Sequence, residues 1–188
     1  MQHVPAPAGP LSAEQFLELA LHEPERELWD GSMYVREPGG SYSSRVNAEL
    51  VRRIANHVAE RGLGFVTESS AGFVVQRGPD RVLAPDVAFV RAGRPWPEVG
   101  FFEGAPDFAV EVRSPSQTWE ATLARGGIWL AHGVRLVWLV DSTQARAVEL
   151  RPETPPVLLG LEGGLRGDPV LPGLEIRLDS LGLPAQRP

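Results

Sequence analysis

Apolar residues recur at every fourth position through SYSSRVNAELVRRIANHVAERG, where Val46, Leu50, Ile54 and Val58 make one stripe and Gly62 follows as a stop. This spacing predicts an amphipathic helix, because 3.6 residues per turn bring i and i+4 onto one face. Glycine readily takes the left-handed backbone that ends such a helix. A second helix is predicted in LSAEQFLELALHE, with Ser12 as N-cap and Gln15 in capping-box spacing. A third, QTWEATLARGGIWLAHG, has helical spacing through Leu123 and Leu130 that Gly126 and Gly127 weaken. Ser114 or Ser116, in the preceding SPSQT, is its expected cap.

Elsewhere the period shortens to that of strands. RELWDGSMYVRE alternates around Asp30-Gly31 and predicts a hairpin. GFVTESS, GFVVQRG, PDVAFVRA, DFAVEVRS and RLVWLVDS read as strands, and ARAVELRP as the hairpin partner of the last. GRPWPEVGFFEGAP reads as a loop punctuated by proline and glycine, its aromatics placed at a subunit contact or as a flap over a site. Short strands such as GLEIRLDSL are expected to finish the chain. Residues 1–10 read as a loose tail and 11–188 as a single domain, since no repeat or dividing linker is visible. The predicted architecture is mixed α/β (α+β), a central mixed sheet flanked by two or three helices, with an N-terminal helix and hairpin.

Composition narrows the chemistry more than the fold. There is no cysteine, so thiolate metal sites and cysteine nucleophiles are excluded. All 18 basic residues are arginine, so no lysine can serve as base, Schiff-base former or phosphate ligand. The net charge of −6 argues against a broadly basic nucleic-acid surface but not a local one. No apolar run approaches the roughly 20 residues that span a bilayer, and MQHVPAPAGP lacks the basic-then-apolar pattern of a secretory signal. A cytoplasmic protein with no membrane partner is expected.

Two carboxylates stand where strands should be apolar. Asp86 leads into VAFV, and Glu111 lies between Val110 and Val112. A charge buried there needs a partner or a metal. If the two strands are neighbours, the acids converge, and two carboxylates with a backbone carbonyl and waters suit Mg²⁺. The competing reading is that Glu111 points outward and Pro85-Asp86 merely starts a turn. Glu49 lies beside the apolar helix stripe, where a solvated role is the plain reading. His3, His22, His57 and His132 show no ligand spacing, and GGSYSS lacks the lysine and glycine spacing of a phosphate loop. Trp119, Trp129 and Trp138 read as core or interface.

YSSRVNAELVRRI, APDVAFV, PDFAVEVRSPS and WLAHGVRLVWLVDS together resemble the Uma-type restriction endonuclease family of the PD-(D/E)xK nuclease superfamily, over roughly residues 12–152. The resemblance implies a restriction-endonuclease-like core and Mg²⁺- or Mn²⁺-dependent hydrolysis of DNA by a metal-activated water. It implies Asp86 and Glu111 as metal ligands with the Val112 carbonyl beside them, Glu49 as an accessory helix acid, and Glu27 as a frequent residue of unassigned role. It also implies a homodimer or higher homo-oligomer, since cutting a duplex needs two sites. The superfamily lysine is missing. Its two candidate positions hold Arg125, eight residues before Gly133, and Arg113, two after Glu111; Trp129 stands where a tyrosine is usual. Arginine keeps its charge and forks onto phosphate, but it cannot act as a base. The alternative implied by that change is an inactive nuclease fold that binds nucleic acid or protein.

Overall fold

The computed structural model describes residues 2–4, 9–20, 26–36 and 39–183, with backbone only at 2–4. In chain order the elements are β1 (Gln2–Val4), α1 (Ala13–Ala20), β2 (Arg26–Trp29), β3 (Ser32–Val35), α2 (Ser41–Arg61), β4 (Gly64–Glu68), β5 (Phe73–Gln76), β6 (Arg81–Leu83), β7 (Val87–Arg91), β8 (Phe102–Glu103), β9 (Phe108–Arg113), α3 (Trp119–Ala131), β10 (Leu136–Asp141), β11 (Arg146–Leu150), β12 (Val157–Leu159), β13 (Gly164–Arg166) and β14 (Glu175–Arg177). A 3-10 turn, Leu178–Leu181, follows β14. They form two compact units between which the chain passes repeatedly. One takes described residues within Met1–Pro38, Ser69–Pro85 and Pro95–Ala105, the other those within Gly39–Glu68, Asp86–Arg94 and Pro106–Pro188.

The first unit carries a sheet in the order β1-β3-β2-β6-β5-β8. Its hairpin turns at Asp30 and Gly31, whose φ angles of 50° and 78° are the paired positive values that a two-residue turn of this twist requires. The helix α1 has its capping box. The Ser12 N–H donates to Gln15 Oε1 at 2.9 Å and the Gln15 N–H to Ser12 Oγ at 3.3 Å. Phe16 then reaches the cluster of Leu28, Met33 and Val82. Two expectations change here. Gln2–Val4 pair with β3 instead of lying loose, and the expected loop contains β8, which pairs in parallel with β5. Its aromatics are largely internal to this unit: Phe101 stacks on Phe16 at 5.5 Å and Phe102 on Phe73 at 5.0 Å, while Trp96 stays exposed. Glu27 is buried and accepts hydrogen bonds from the Ala84 N–H and the Trp29 indole.

The second unit is organised around a mixed sheet, β12-β11-β10-β9-β7-β4, in which β9 and β10 run parallel and the other neighbours antiparallel. Side chains alternate across it. Phe108, Val110 and Val112 of β9, with Trp138 and Val140 of β10, share one cluster with Val46, Leu50, Ile54 and Val58 of α2. Burial of each such aliphatic side chain contributes roughly 1.5–3 kcal/mol. Gly62 closes α2 at φ 61°. Glu111 and Leu139 therefore face the other way, toward α3. There Gly126 is what lets the helix sit close: a Cβ on it would come within 2.5 Å of Leu150 and 3.0 Å of Leu139. The glycine that weakens the helix in sequence is the one that seats it. Its cap is Thr118, whose hydroxyl accepts the Ala121 N–H at 3.1 Å, and not Ser114 or Ser116, whose hydroxyls bond each other. The His22 and His3 side chains and the end of LSAEQFLELALHE lie outside the described residues.

Candidate active site

The acid inside β9 is buried because the strand leaves it no alternative. Phe108, Val110 and Val112 must face α2, so strand alternation turns Glu111 toward α3. β7 pairs antiparallel with β9 through Val87↔Val110, so Asp86, just before β7, lies at the end of that pairing nearest Glu111. The Val112 N–H donates to Asp86 Oδ2 at 2.7 Å, which ties the entry of β7 to the strand that carries Glu111. Asp86 is thus fixed to the backbone of the residue that follows Glu111.

Two residues of α3, one turn apart, reach Glu111. Arg125 Nε donates to Glu111 Oε1 at 2.9 Å, and the Trp129 indole N–H donates to the same oxygen at 2.6 Å. The guanidinium also lies over the Trp129 ring, 5.2 Å from its centroid, so the indole orients both partners. The side chains of Arg125 and Glu111 are only 13% and 11% exposed, which puts their ion pair in a medium of low polarity. Glu111 keeps a charged partner even while buried, as the cost of burying a lone carboxylate demands.

Arg113, the other candidate for the phosphate contact, and Glu49, the expected accessory helix acid, have other partners. Arg113 follows Glu111 on the same face but pairs in register with Asp141 of β10. Its guanidinium donates to both Asp141 oxygens at 2.9 and 3.1 Å, to the Thr143 hydroxyl, and to the Gln117 carbonyl. Asp141 is wholly buried and also takes Arg146 Nε at 3.1 Å. Burial alone would raise its pKa, but the Thr143 hydroxyl and N–H, with Arg113 and Arg146, outweigh it and hold the carboxyl below its ordinary value. Glu49 sits on α2, across the sheet from Glu111. Its carboxylate is taken by Arg52 at 2.7 Å and Arg53 at 2.6 Å, and those hydrogen bonds bring its pKa down to about 2. The described partners of Glu49 are thus Arg52 and Arg53 of its own helix.

Sequence reasoning did not single out Asp141 as the partner of Arg113. The signal was the matching ends of DFAVEVR and RLVWLVD, which align once β9 and β10 are known to be parallel. Asp107, just before β9, is likewise structural: it accepts the Arg91 N–H and an ion pair from Arg135.

The oxygen donors that the sequence resemblance implies would, by their chemistry, suit a hard divalent cation. Asp86, Glu111 and the Val112 carbonyl offer oxygen only, and a cation such as Mg²⁺ is held by one or two carboxylates while keeping several waters. No group of three or more histidines and acids forms an all-protein cage among the described residues, and this mode of binding does not need one. No described helix is long and apolar enough to cross a membrane.

Comparison with known proteins bears on the same region. A solved crystal structure described as a putative nuclease belonging to DUF820, from Anabaena variabilis ATCC 29413, superposes with a TM-score of 0.76. It has 21% sequence identity to this chain, covering 92% of this chain and 97% of its own length. The likeness shows a shared fold. No curated protein matches the chain. The sequence profile of the Uma2 family, described as "Putative restriction endonuclease", matches residues 13–179, a span that holds Asp86, Glu111, Arg125 and Trp129, and the chain belongs to that family.

Proposed function

We propose that this protein is a divalent-metal-dependent endonuclease that hydrolyses DNA phosphodiester bonds. The observation that supports the reading is Asp86, at the entry of β7, accepting the Val112 N–H of the neighbouring strand that carries Glu111, with the guanidinium of Arg125 on Glu111. Asp86, Glu111 and the Val112 carbonyl would hold Mg²⁺ or Mn²⁺. That cation supplies an activated water and neutralises charge on the phosphate. Arg125 supplies permanent positive charge from the α3 side, an electrostatic role open to arginine, whereas proton abstraction is not. Trp129 fixes the rotamer of Glu111 through its indole N–H. Arg113 is assigned to the Asp141 network, and Glu49 to its arginine neighbours on α2. A homodimer would bring two such sites to the two strands of a duplex, which light scattering on the purified protein tests.

The test is cleavage of plasmid, linear and single-stranded DNA, with RNA in parallel, at millimolar Mg²⁺ or Mn²⁺. Cleavage that disappears in both Asp86→Ala and Glu111→Ala supports the reading. A wild-type protein that cuts nothing with either ion overturns it.

One observation favours a second reading, a nucleic-acid-binding protein without turnover. Arg125 is spent on Glu111 in the described arrangement, and the chain has no lysine to replace it. Cleavage gained on Arg125→Lys, from a wild type that binds DNA without cutting it, would select this alternative.

A further inference from the structure

Arg125 and the cation proposed above want the same carboxylate. Glu111 Oε1 accepts the Arg125 Nε–H at 2.9 Å in an ion pair whose two side chains are 13% and 11% exposed, so the attraction is weakly screened by solvent. A divalent cation bound at Glu111 would face a guanidinium that never loses its charge. In a site with lysine, that conflict could be relieved by a neutral amine; here it cannot. The side chain does have a second place to rest. The Trp129 ring, 5.2 Å from the guanidinium carbon, is a cation-accepting face that does not depend on Glu111. Trp129 itself remains tied to Glu111 Oε1 through its own N–H at 2.6 Å.

Resting on the metal reading of this site, we propose that Arg125 is a metal-displaced latch. With no cation it neutralises Glu111. When a divalent cation binds, the guanidinium leaves the carboxylate while still stacked on Trp129, and becomes available to a substrate phosphate. The latch sets the cation concentration at which the site becomes competent, because each binding event must break the Arg125–Glu111 pair. Trp129 and Arg125 therefore differ in sign. Removing the indole loosens a ligand and weakens cation binding, whereas removing the guanidinium removes a competitor and strengthens it.

The test is calorimetric titration of Mn²⁺ and Mg²⁺ into wild type, Arg125→Gln, Trp129→Phe and Glu111→Ala. Arg125→Gln is expected to bind roughly tenfold more tightly than wild type, Trp129→Phe several-fold more weakly, and Glu111→Ala not at all. Arg125→Gln should also show a larger metal-induced rise in Tm than wild type, since binding to the folded state alone is what stabilises it. A measurement on wild type guards against misfolding of the variant: the ¹⁵Nε–¹Hε resonance of Arg125 should move toward that of a solvated arginine on addition of Mg²⁺, while that of Arg113 stays. Equal or weaker binding by Arg125→Gln, or an Arg125 resonance that does not move while the cation binds, overturns the latch and leaves the metal site standing. If neither wild type nor Arg125→Gln binds either cation, the latch and the metal reading fall together.

Discussion

Glu111 and Asp141 are buried carboxylates on neighbouring parallel strands, facing the same side of one sheet, and their surroundings differ in kind. Asp141 is enclosed by two guanidiniums, a hydroxyl and a backbone N–H, with no exposed surface. Its company is entirely donors, which hold its pKa down and tie Arg113 and Arg146 to the sheet; Arg146 in turn lies over the Trp119 ring at 4.4 Å. Glu111 keeps 8% exposure, and Asp86, the residue just before β7, accepts the N–H of its chain neighbour Val112. The two described donors to Glu111, the Arg125 Nε–H and the Trp129 indole N–H, come from one helix and share one oxygen, Oε1. A carboxylate enclosed by donors is placed to hold structure; Glu111, with fewer described donors and some remaining exposure, is the one on which the proposed metal reading draws.

The contrast can be broken most sharply at Glu111. Glu111→Gln should lower cleavage on the order of a thousandfold, the loss expected when a metal ligand carrying several kcal/mol of transition-state stabilisation is neutralised. It should lower Tm by less than Asp141→Asn does, because the amide oxygen still accepts the Trp129 N–H and the stranded Arg125 guanidinium keeps the Trp129 ring. A variant that unfolds instead would place Glu111 in the structural class with Asp141.

Asp141→Asn should do the reverse. Leaving Arg113 and Arg146 without their buried counter-charge costs about 3 kcal/mol, read from the urea midpoint, while cleavage per folded molecule persists. The pH dependence follows from the lowered pKa. Asp141 contributes stability at pH above its ordinary value of 3.8 and loses it as pH falls below that toward the folded value. The gap between wild type and Asp141→Asn should therefore narrow in acid. A gap that stays constant to low pH would remove Asp141 from the account.

Trp129→Phe tests the indole N–H alone. A lost hydrogen bond to a buried carboxylate is worth about 1.5 kcal/mol or more, seen as a lower Tm and a several-fold drop in turnover. Smallest is Glu49→Gln. Its pairs with Arg52 and Arg53 are partly exposed, i,i+3 and i,i+4 contacts worth about 0.5 kcal/mol. Cleavage should be retained; a large loss would bring Glu49 back toward the reacting centre.

Legibility followed range along the chain. The α2 stripe, the Asp30-Gly31 turn, the Ser12–Gln15 box and the strands around Glu111 depend on neighbours within a few residues, and all formed. β1, β6 and β8 did not announce themselves, since strands of two or three residues exist through partners that composition does not name. The Gly126 contact was read as a weakness for the same reason: its partners, Leu139 and Leu150, lie on strands that follow later. The cap of α3 moved from Ser114 or Ser116 to Thr118 because several hydroxyls were in reach and only the real start of the helix chooses among them.

The amino-acid pattern by itself determined that Asp86 leads into an apolar strand and Glu111 interrupts one, that the chain has arginine and no lysine to set against them, and that the core is mixed α/β. Those are properties of composition and local period. Tertiary structure alone decided which arginine meets which acid. Arg113 lies two residues from Glu111 yet serves Asp141, 28 positions away, because β9 and β10 pair in parallel and in register. Arg125, 14 positions from Glu111, reaches it because α3 packs back over the face to which strand alternation turns the acid. A charge chooses its partner by distance through space and by local polarity, and only the folded sheet sets both.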